Sequence, residues 1–490
     1  MSNNPESEST TNRLKSYNSI LAYLEIDTRN FDMTTQESFQ KVKNLYQDSL
    51  IFLGQLSAGR PDPTFKVKIY ANIVVIADDF SSEWDVHTSR RLRSLMALNY
   101  FLAAFQHLAL VKYNWLIHGY MTTGQFYMPY LFEDEEGIPQ GTDIDFLWGK
   151  ALVEAYRKNK VNRYPGIQID TSILDFCNNQ TVDRAIWESS YYDYSNNPKI
   201  IFIDFLGIYN NISAIGNPEL RIQNFSDVLE RIELNKLFPD DQLIFLKRYL
   251  DHVKKMPQIP RQEPSVQNNI VDPEPFTSSI DTTEMKEYFI AYLDMLGTKD
   301  KIEDDDDDHW LNAIENIYDA SHKFLELNHQ TLDILGERMV SYLTPQIKIF
   351  SDNILFAIEE VDDSSIEDEI VAELIKFAGY FQNYALLGYN WQLRGCITKG
   401  LLYLDENYLW GPVIIYANNL EEKAKEPRII FDTTRVSLPT CEENELIYEA
   451  DNLKPIIQKD DDMEYFIGYS DLILNGTETL RELEKTYPLS

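Results

Sequence analysis

The stretch KIFSDNILFAI (Lys348–Ile358) decides how this chain is read. Ile349, Phe350, Ile354, Leu355, Phe356 and Ile358 form two short apolar runs. Ser351, Asp352 and Asn353 interrupt them as a tight hairpin turn does. An aspartate at such a turn has two readings. Asp and Asn tolerate the backbone angles that a turn needs, so Asp352 can be a turn former. A carboxylate at the rim of a buried sheet can also hold a hard cation. The rest of the chain decides between them.

Working outward, the stretch has a counterpart: KIYANIVVIA (Lys68–Ala77) matches KIFSDNILFA (Lys348–Ala357). ILAYLEIDT (Ile20–Thr28) matches FIAYLDMLG (Phe289–Gly297), and YNWLIHGYMTTGQFY (Tyr113–Tyr127) matches YNWQLRGCITKGLLY (Tyr389–Tyr403). WGKALVEAYRKNKVNRYPGIQID (Trp148–Asp170) matches WGPVIIYANNLEEKAKEPRIIFD (Trp410–Asp432) without a gap. The order is the same in both halves, which reads as a tandem duplication with a repeat too long for a solenoid. Between Met256 and Thr283 the composition turns to Pro, Gln, Asn, Ser and acidic residues, a linker. The expected organisation is one domain over 14–255, a linker over 256–283 and a second domain over 284–490.

The chain has 490 residues, 44% hydrophobic and 25% charged, enough for two cores. Its net charge of −35 argues against a nucleic-acid partner and against an anionic membrane surface, since both need clustered Lys and Arg. A small anionic ligand held through bound metal is still compatible, because the ion inverts the local charge logic. Cys177, Cys396 and Cys441 are scattered and odd in number, so no disulfide framework is expected. The polar start MSNNPESESTTNRL has no signal-peptide core, no apolar run reads as a membrane span, and the seven histidines form no ligand-spaced cluster. A cytoplasmic protein is expected.

In the second half, strands are expected at Tyr288–Asp294 and in the Lys348–Ile358 hairpin, then a helix at Glu369–Leu387. Tyr389–Ile397 should run as a strand into Gly400–Leu404, followed by a helix over Trp410–Lys425 stopped by Pro427 and a strand at Arg428–Phe431. This is an α+β layer of ferredoxin-like type.

The motifs resemble the catalytic domain of class III nucleotide cyclases. There a first strand ends in Asp-Ile-x-Gly-Phe, here Asp294-Met295-Leu296-Gly297-Thr298. A second metal-binding Asp sits at a hairpin turn after Lys-Ile-x-Gly, here Lys348-Ile349-Phe350-Ser351-Asp352. A later helix opens with Trp-Gly and carries a transition-state Arg eight residues after the Gly, which is Arg157 here. The variants AYLDMLG, LRGCITKG and WGP are more similar to the divergent cyclases of the Pycsar antiphage system. That resemblance implies a pyrimidine nucleotide cyclase: CTP, in preference to UTP, would become a 3′,5′-cyclic monophosphate that signals to a separate effector protein.

The residues are consistent with this chemistry. Cyclisation needs the ribose 3′-hydroxyl to attack the α-phosphorus while pyrophosphate leaves, and a pair of Mg²⁺ or Mn²⁺ ions acidifies that hydroxyl and neutralises the triphosphate. Asp294 and Asp352, with the backbone carbonyl of Met295, form an oxygen donor set for such cations. The Gly297 turn leaves backbone N–H groups for phosphate oxygens. The first half has Glu25, Asn72 and Thr28 at the positions of Asp294, Asp352 and Gly297, so it is expected to hold no metal pair. It keeps Arg157, where the second half has Asn419. In the resembled family each active site lies between two domains. An intramolecular pseudo-dimer would therefore assemble one complete site, Asp294 and Asp352 with Arg157, in a monomer.

Several residues have weaker claims. Lys68 stands where purine cyclases of the family place a base-contacting Lys, but its repeat partner Lys348 is also Lys, so a structural role is equally open. The family's base-contacting Asp is replaced by Phe146, which argues against adenine; Tyr70 and Phe146 can fill the space of a purine. Arg394 and Lys399, expected on strands beside the metal site, suit a triphosphate better than their counterparts His118 and Thr123. The run IEDDDDDHW (Ile302–Trp310) reads as a solvated helix start, and Asp78 and Asp79 as loop residues. The competing functions are an adenylate or guanylate cyclase and a nucleotide sensor without turnover.

Overall fold

The computed structural model describes residues 17–27, 29, 32–56, 65–79, 88–128, 145–161, 164–171, 173, 191–193, 200–206, 218–255, 284–296, 312–321, 345–361, 367–424, 426–437, 457–459 and 465–467. The expected linker over 256–283, the Thr28 and Gly297 turns and the Asp run at 304–308 lie outside them.

The first half orders β1 (Tyr17–Ile26), α1 (Gln36–Leu56), β2 (Lys66–Tyr70), β3 (Ile73–Asp79), α2 (Thr88–Tyr113), β4 (Ile117–Phe126), β5 (Asp145–Leu147), α3 (Lys150–Val161), β6 (Gly166–Ile169), β7 (Tyr191–Asp193) and β8 (Ile201–Ile203). Helices α4 (Pro218–Leu234) and α5 (Asp240–Lys255) close it. The second half repeats the pattern: β9 (Lys286–Leu296), α6 (312–321), β10 (Gln346–Phe350), β11 (Asn353–Glu359), α7 (Glu367–Tyr389), β12 (Gln392–Leu404), β13 (Tyr408–Trp410), α8 (Pro412–Glu421) and β14 (Ile429–Phe431), then β15 (Ile457–Lys459) and β16 (Tyr465–Ile467).

Each half is built on a central strand with antiparallel neighbours on both sides. β1 lies between β3 and β4, and β9 between β11 and β12. The halves then exchange edges. β13 of the second half pairs parallel with β2 of the first, and β5 of the first pairs parallel with β10 of the second. The turn amides follow the same plan, with Ala71 N donating to Leu409 O at 2.7 Å and Ser351 N to Leu147 O at 3.1 Å. One mixed sheet results, in an α+β architecture.

Helix α2 and strands β2 and β6 bury one core, with Phe39, Val42 and Leu45 of α1 packed into it. Helix α7 and the inner faces of β9–β12 bury a second. A third layer joins Leu21, Tyr23, Leu152 and Ala155 to Tyr288, Tyr292, Val413 and Ala417, so α3 and α8 lie where the halves meet.

The repeated motifs have local causes. In both YNW segments the Asn ends a helix in the left-handed region, Asn114 at φ 54° and Asn390 at φ 54°, a conformation Asn tolerates. In both Trp-Gly segments the tryptophan is buried and the glycine touches backbone. A Cβ on Gly149 would sit 2.3 Å from Gln125 O, and one on Gly411 2.3 Å from Leu401 O. The hairpin turns place Ala71 (φ 51°) and Ser351 (φ 56°) in the left-handed region, the sign used by primed hairpin turns.

The structure corrects four sequence expectations. Trp410 belongs to strand β13, and α8 starts at Pro412 and ends at Glu421, earlier than Lys425. The strand after α7 is continuous from Gln392 to Leu404, because β9 pairs along its length. Asp78 and Asp79 extend β3 opposite Ile20 and Ser19, and Asp78 is 1% exposed, so they are not loop residues. Leu95–Tyr113 of α2 is long and apolar enough to cross a membrane. Leu95, Leu98, Phe101, Leu102, Phe105 and Leu110 of that segment are buried, which is also how a core helix earns such apolarity.

Candidate active site

Strand pairing brings Asp294 and Asp352 to one corner. Asp294 lies two residues before the end of β9, opposite Asn353, the first residue of β11, and Met295 N donates to Asp352 O at 2.9 Å. The strand residue Asp294 and the turn residue Asp352 are therefore neighbours in the sheet despite their separation in sequence. Beneath them Tyr292 is buried, its hydroxyl donating to Asn353 Oδ1 at 2.7 Å. Burial, and then the charges of Asp294, Glu421 and Asp352, push the Tyr292 hydroxyl well above the ordinary tyrosine range. Among the described residues no group of three or more His, Cys, Asp or Glu side chains gathers as a metal cage. The donor set on offer is two carboxylates and the Met295 carbonyl, which fits a hard divalent cation that completes its shell with ligand oxygens.

Arg394 faces Asp294 across β9 and β12 and donates from Nη2 to Asp294 Oδ2 at 3.3 Å. Its Nε also pairs with Glu421 of α8. The Glu421 side chain is 5% exposed, and burial, with the Asp294 charge added, raises its carboxyl to about 7. Lys399 does not share this corner. It pairs with Phe289, roughly 16 Å farther along the strand, and its ammonium binds Glu360 at 2.6 Å and Glu367 at 3.5 Å. Extension of β12 as one strand carries it away, correcting the expectation that it borders the metal site.

A cavity of about 450 Å³ opens where the halves meet. Its lining comes in repeat-related pairs: Tyr23 and Tyr292, Tyr70 and Phe350, Asn72 and Asp352, Tyr156 and Asn418, Lys160 and Glu422. The rings of Tyr70 and Phe350, one from each half, lie 4.8 Å apart. Lys348 borders the cavity and donates to Asp405 O at 2.6 Å. Lys68, 5% exposed, donates to the neighbouring Glu406 O and does not line the cavity. The two lysines thus bind consecutive carbonyls of the β12–β13 turn. Arg157 is half-buried on α3 and is not among the lining residues. Lys160, one turn further on, is the basic residue that α3 presents there; among the described residues its contact is with the Tyr156 ring, 5.4 Å away. The backbone of Phe146 pairs with Ile349.

The equivalent corner of the first half also borders the cavity, through Glu25 and Asn72, but its side chains are tied by internal bonds. Asn159 donates to Glu25 Oε2 at 3.4 Å, and Asn72 Nδ2 to Ile26 O at 3.2 Å. His118 stands at the Arg394 position but contacts Asp27 at 3.2 Å. Asp27 also pairs with Arg29, which donates to Gln242 of α5 at 2.7 Å. Although its burial works in the opposite direction, hydrogen bonds from Arg29 and His118 hold the Asp27 carboxyl well below the ordinary range.

Sequence reading missed Glu421, Lys160 and the Asp27–Arg29 pair. The gap-free Trp-Gly repeat carries the signal for the first two, since it aligns Glu421 with Asn159 and Lys160 with Glu422. Tyr23 and Tyr292 are visible as the shared residue of the two AYL segments.

No family model matches the chain and no curated protein matches it. Solved structures do. A class III adenylyl cyclase-like ATP-binding protein from Pseudomonas aeruginosa is 11% identical with a TM-score of 0.41, covering 85% of this chain and 83% of that one. A bacterial light-regulated adenylyl cyclase is 8% identical with a TM-score of 0.24, covering 96% and 100%. A Csm1–Csm4 cassette in complex with pppApA is 9% identical with a TM-score of 0.28, covering 85% of this chain and 55% of that one. Likenesses of this size leave the function to the residues of the cavity.

Proposed function

We propose that the chain is a nucleotide cyclase that folds as an intramolecular pseudo-dimer and works as a monomer, with one competent site. The observation that carries this reading is the cavity between the halves, which has Asp352 on its second-half wall and Tyr156 and Lys160 on its first-half wall. Asp294, Asp352 and the Met295 carbonyl would hold Mn²⁺ or Mg²⁺, two ions in all. Bound there, the ions acidify the ribose 3′-hydroxyl and neutralise the triphosphate. The chain's own part is to orient and to supply positive charge from the opposite half. Arg394 binds phosphate oxygens from the metal side. Arg157 or Lys160 meets the charge that develops on the α-phosphate, and Arg157 has the fork to clamp two oxygens together.

The substrate is a pyrimidine triphosphate, CTP before UTP. Tyr70 and Phe350 line the cavity with rings 4.8 Å apart, bulk that would disfavour the larger purine ring. Lys68, committed to Glu406 O, is tied to a turn and not aimed at a base. The cyclic product would act on a separate effector protein, in the antiphage setting that the motif resemblance implies. One observation favours a second reading, a nucleotide sensor without turnover: Arg157 stands outside the cavity lining. Incubating the purified chain with each NTP and Mn²⁺ and resolving products by mass spectrometry tests both. Cyclic CMP is the expected product. Cyclic AMP or GMP would refute the base assignment, and tight NTP binding without any cyclic product would favour the sensor.

A further inference from the structure

We infer that Arg394 is a latch on the metal corner: its guanidinium, paired with both Asp294 and Glu421, competes with a divalent cation for Asp294 and must release it before the ion can bind. The inference rests on the reading of Asp294 as a metal ligand. Its first support is geometric. The guanidinium of Arg394 lies between two carboxyl groups, with Nη2 donating to Asp294 Oδ2 at 3.3 Å and Nε in ion-pair contact with Glu421. Glu421 is 5% exposed and projects from α8, a different element from either strand, so Arg394 is held from the far side. When Glu421 is ionised, leaving it buried without a cationic partner is costly, which favours the arginine where it stands.

The second support is the other half. There, where carboxylate and amide replace the two aspartates, neither latch residue is kept. His118 replaces Arg394 and turns to Asp27, and Asn159 replaces Glu421 and bonds Glu25 directly. The arginine–glutamate pair therefore accompanies the aspartates and not the fold. Repulsion between Asp294 and the other acidic groups of the corner would be large with neither arginine nor metal present. An internal cation that yields to an external one keeps the corner assembled in both states. Once displaced, the guanidinium is free for the phosphate oxygens that arrive with the metal.

Titrating the full chain with Mn²⁺ alone, and following free Mn²⁺ by electron paramagnetic resonance, tests the latch without any turnover. Arg394→Gln and Arg394→Lys should both bind Mn²⁺ about tenfold tighter than the natural chain, because neither can bridge Asp294 and Glu421. Adding Asp294→Asn to either should abolish the gain. A purely structural role for Arg394 predicts no tightening. If Arg394→Lys binds as the natural chain does while Arg394→Gln tightens, the arginine acts only by charge at a distance and the latch is wrong. If no Arg394 variant tightens while Asp294→Asn still weakens binding, the latch falls and the metal reading stands. If Asp294→Asn leaves Mn²⁺ binding unchanged in every background, both fall.

Discussion

The two halves of this chain put different residues on one backbone plan. At the second-half corner, Arg394 pairs with both Asp294 and Glu421, and Asp352 beside them lines the cavity. At the first-half corner, Glu25, Asn72, His118 and Asn159 are bound to each other, to backbone or to Asp27, and Asp27 reaches α5 through Arg29 and Gln242. The comparison teaches that where Glu25 and Asn72 stand in place of the aspartates, internal bonds tie the corner as struts.

The largest expected effect breaks the comparison from the charged side. Asp352→Ala should abolish cyclic product, since a two-ion site missing one carboxylate loses several kcal/mol of charge stabilisation. Circular dichroism should report an unchanged fold, and near-normal turnover in the folded variant would mean that Asp352 is only a turn former.

Next comes the wall opposite. Arg157→Ala should lower kcat by about 10²–10³ with little change in KM, as loss of a transition-state donor does. Lys160→Ala should instead raise KM by about tenfold, as loss of one charge-assisted contact does. The reverse pattern would give the transition-state role to Lys160, the residue that borders the cavity.

The strut side should respond in stability rather than turnover. Asp27→Asn should destabilise the fold by about 1–3 kcal/mol, because it uncouples Arg29 and His118 from a largely buried partner. The Asp27 carboxyl is held low in the folded chain, so its contribution is complete above the ordinary carboxylate range and fades as pH falls below about 4. Urea midpoints of the natural chain and the Asp27→Asn variant, well separated at pH 7, should converge as the pH is lowered. A constant difference across that window would show that the pairing is not what stabilises.

The smallest expected effect is at the hairpin where the reading began. Ser351 holds φ at 56°, which costs a side-chain-bearing residue about 1 kcal/mol, so Ser351→Gly should gain a few tenths to 1 kcal/mol in thermal unfolding.

What the sequence made legible follows from periodicity and repetition. The Lys348–Ile358 hairpin, the α7 helix and the adjacency of the strands carrying Asp294 and Asp352 could all be read, because burial of both sheet faces demands long apolar runs. Placement across the halves could not. Arg157 and Lys160 differ by one helical turn, and nothing in α3 says which of them an opposing surface will meet. Lys399 is misplaced by any reading that breaks its strand in two. Glu421 hides among the acidic residues of LEEK, where a solvated face is the ordinary meaning and only packing against Arg394 reveals burial.

The exchange of β5 and β13 has a consequence for how such a chain can change. In an assembly of identical subunits, every substitution strikes both corners at once, and a residue that improves one is imposed on the other. Here each corner has its own codons, while β2–β13 and β5–β10 pairing keeps the corners mechanically joined. Glu25 and Asp294 are free to diverge, and so are His118 and Arg394. The fused chain separates the task of holding a shape from the task of using it, and selection can act on the two at different addresses.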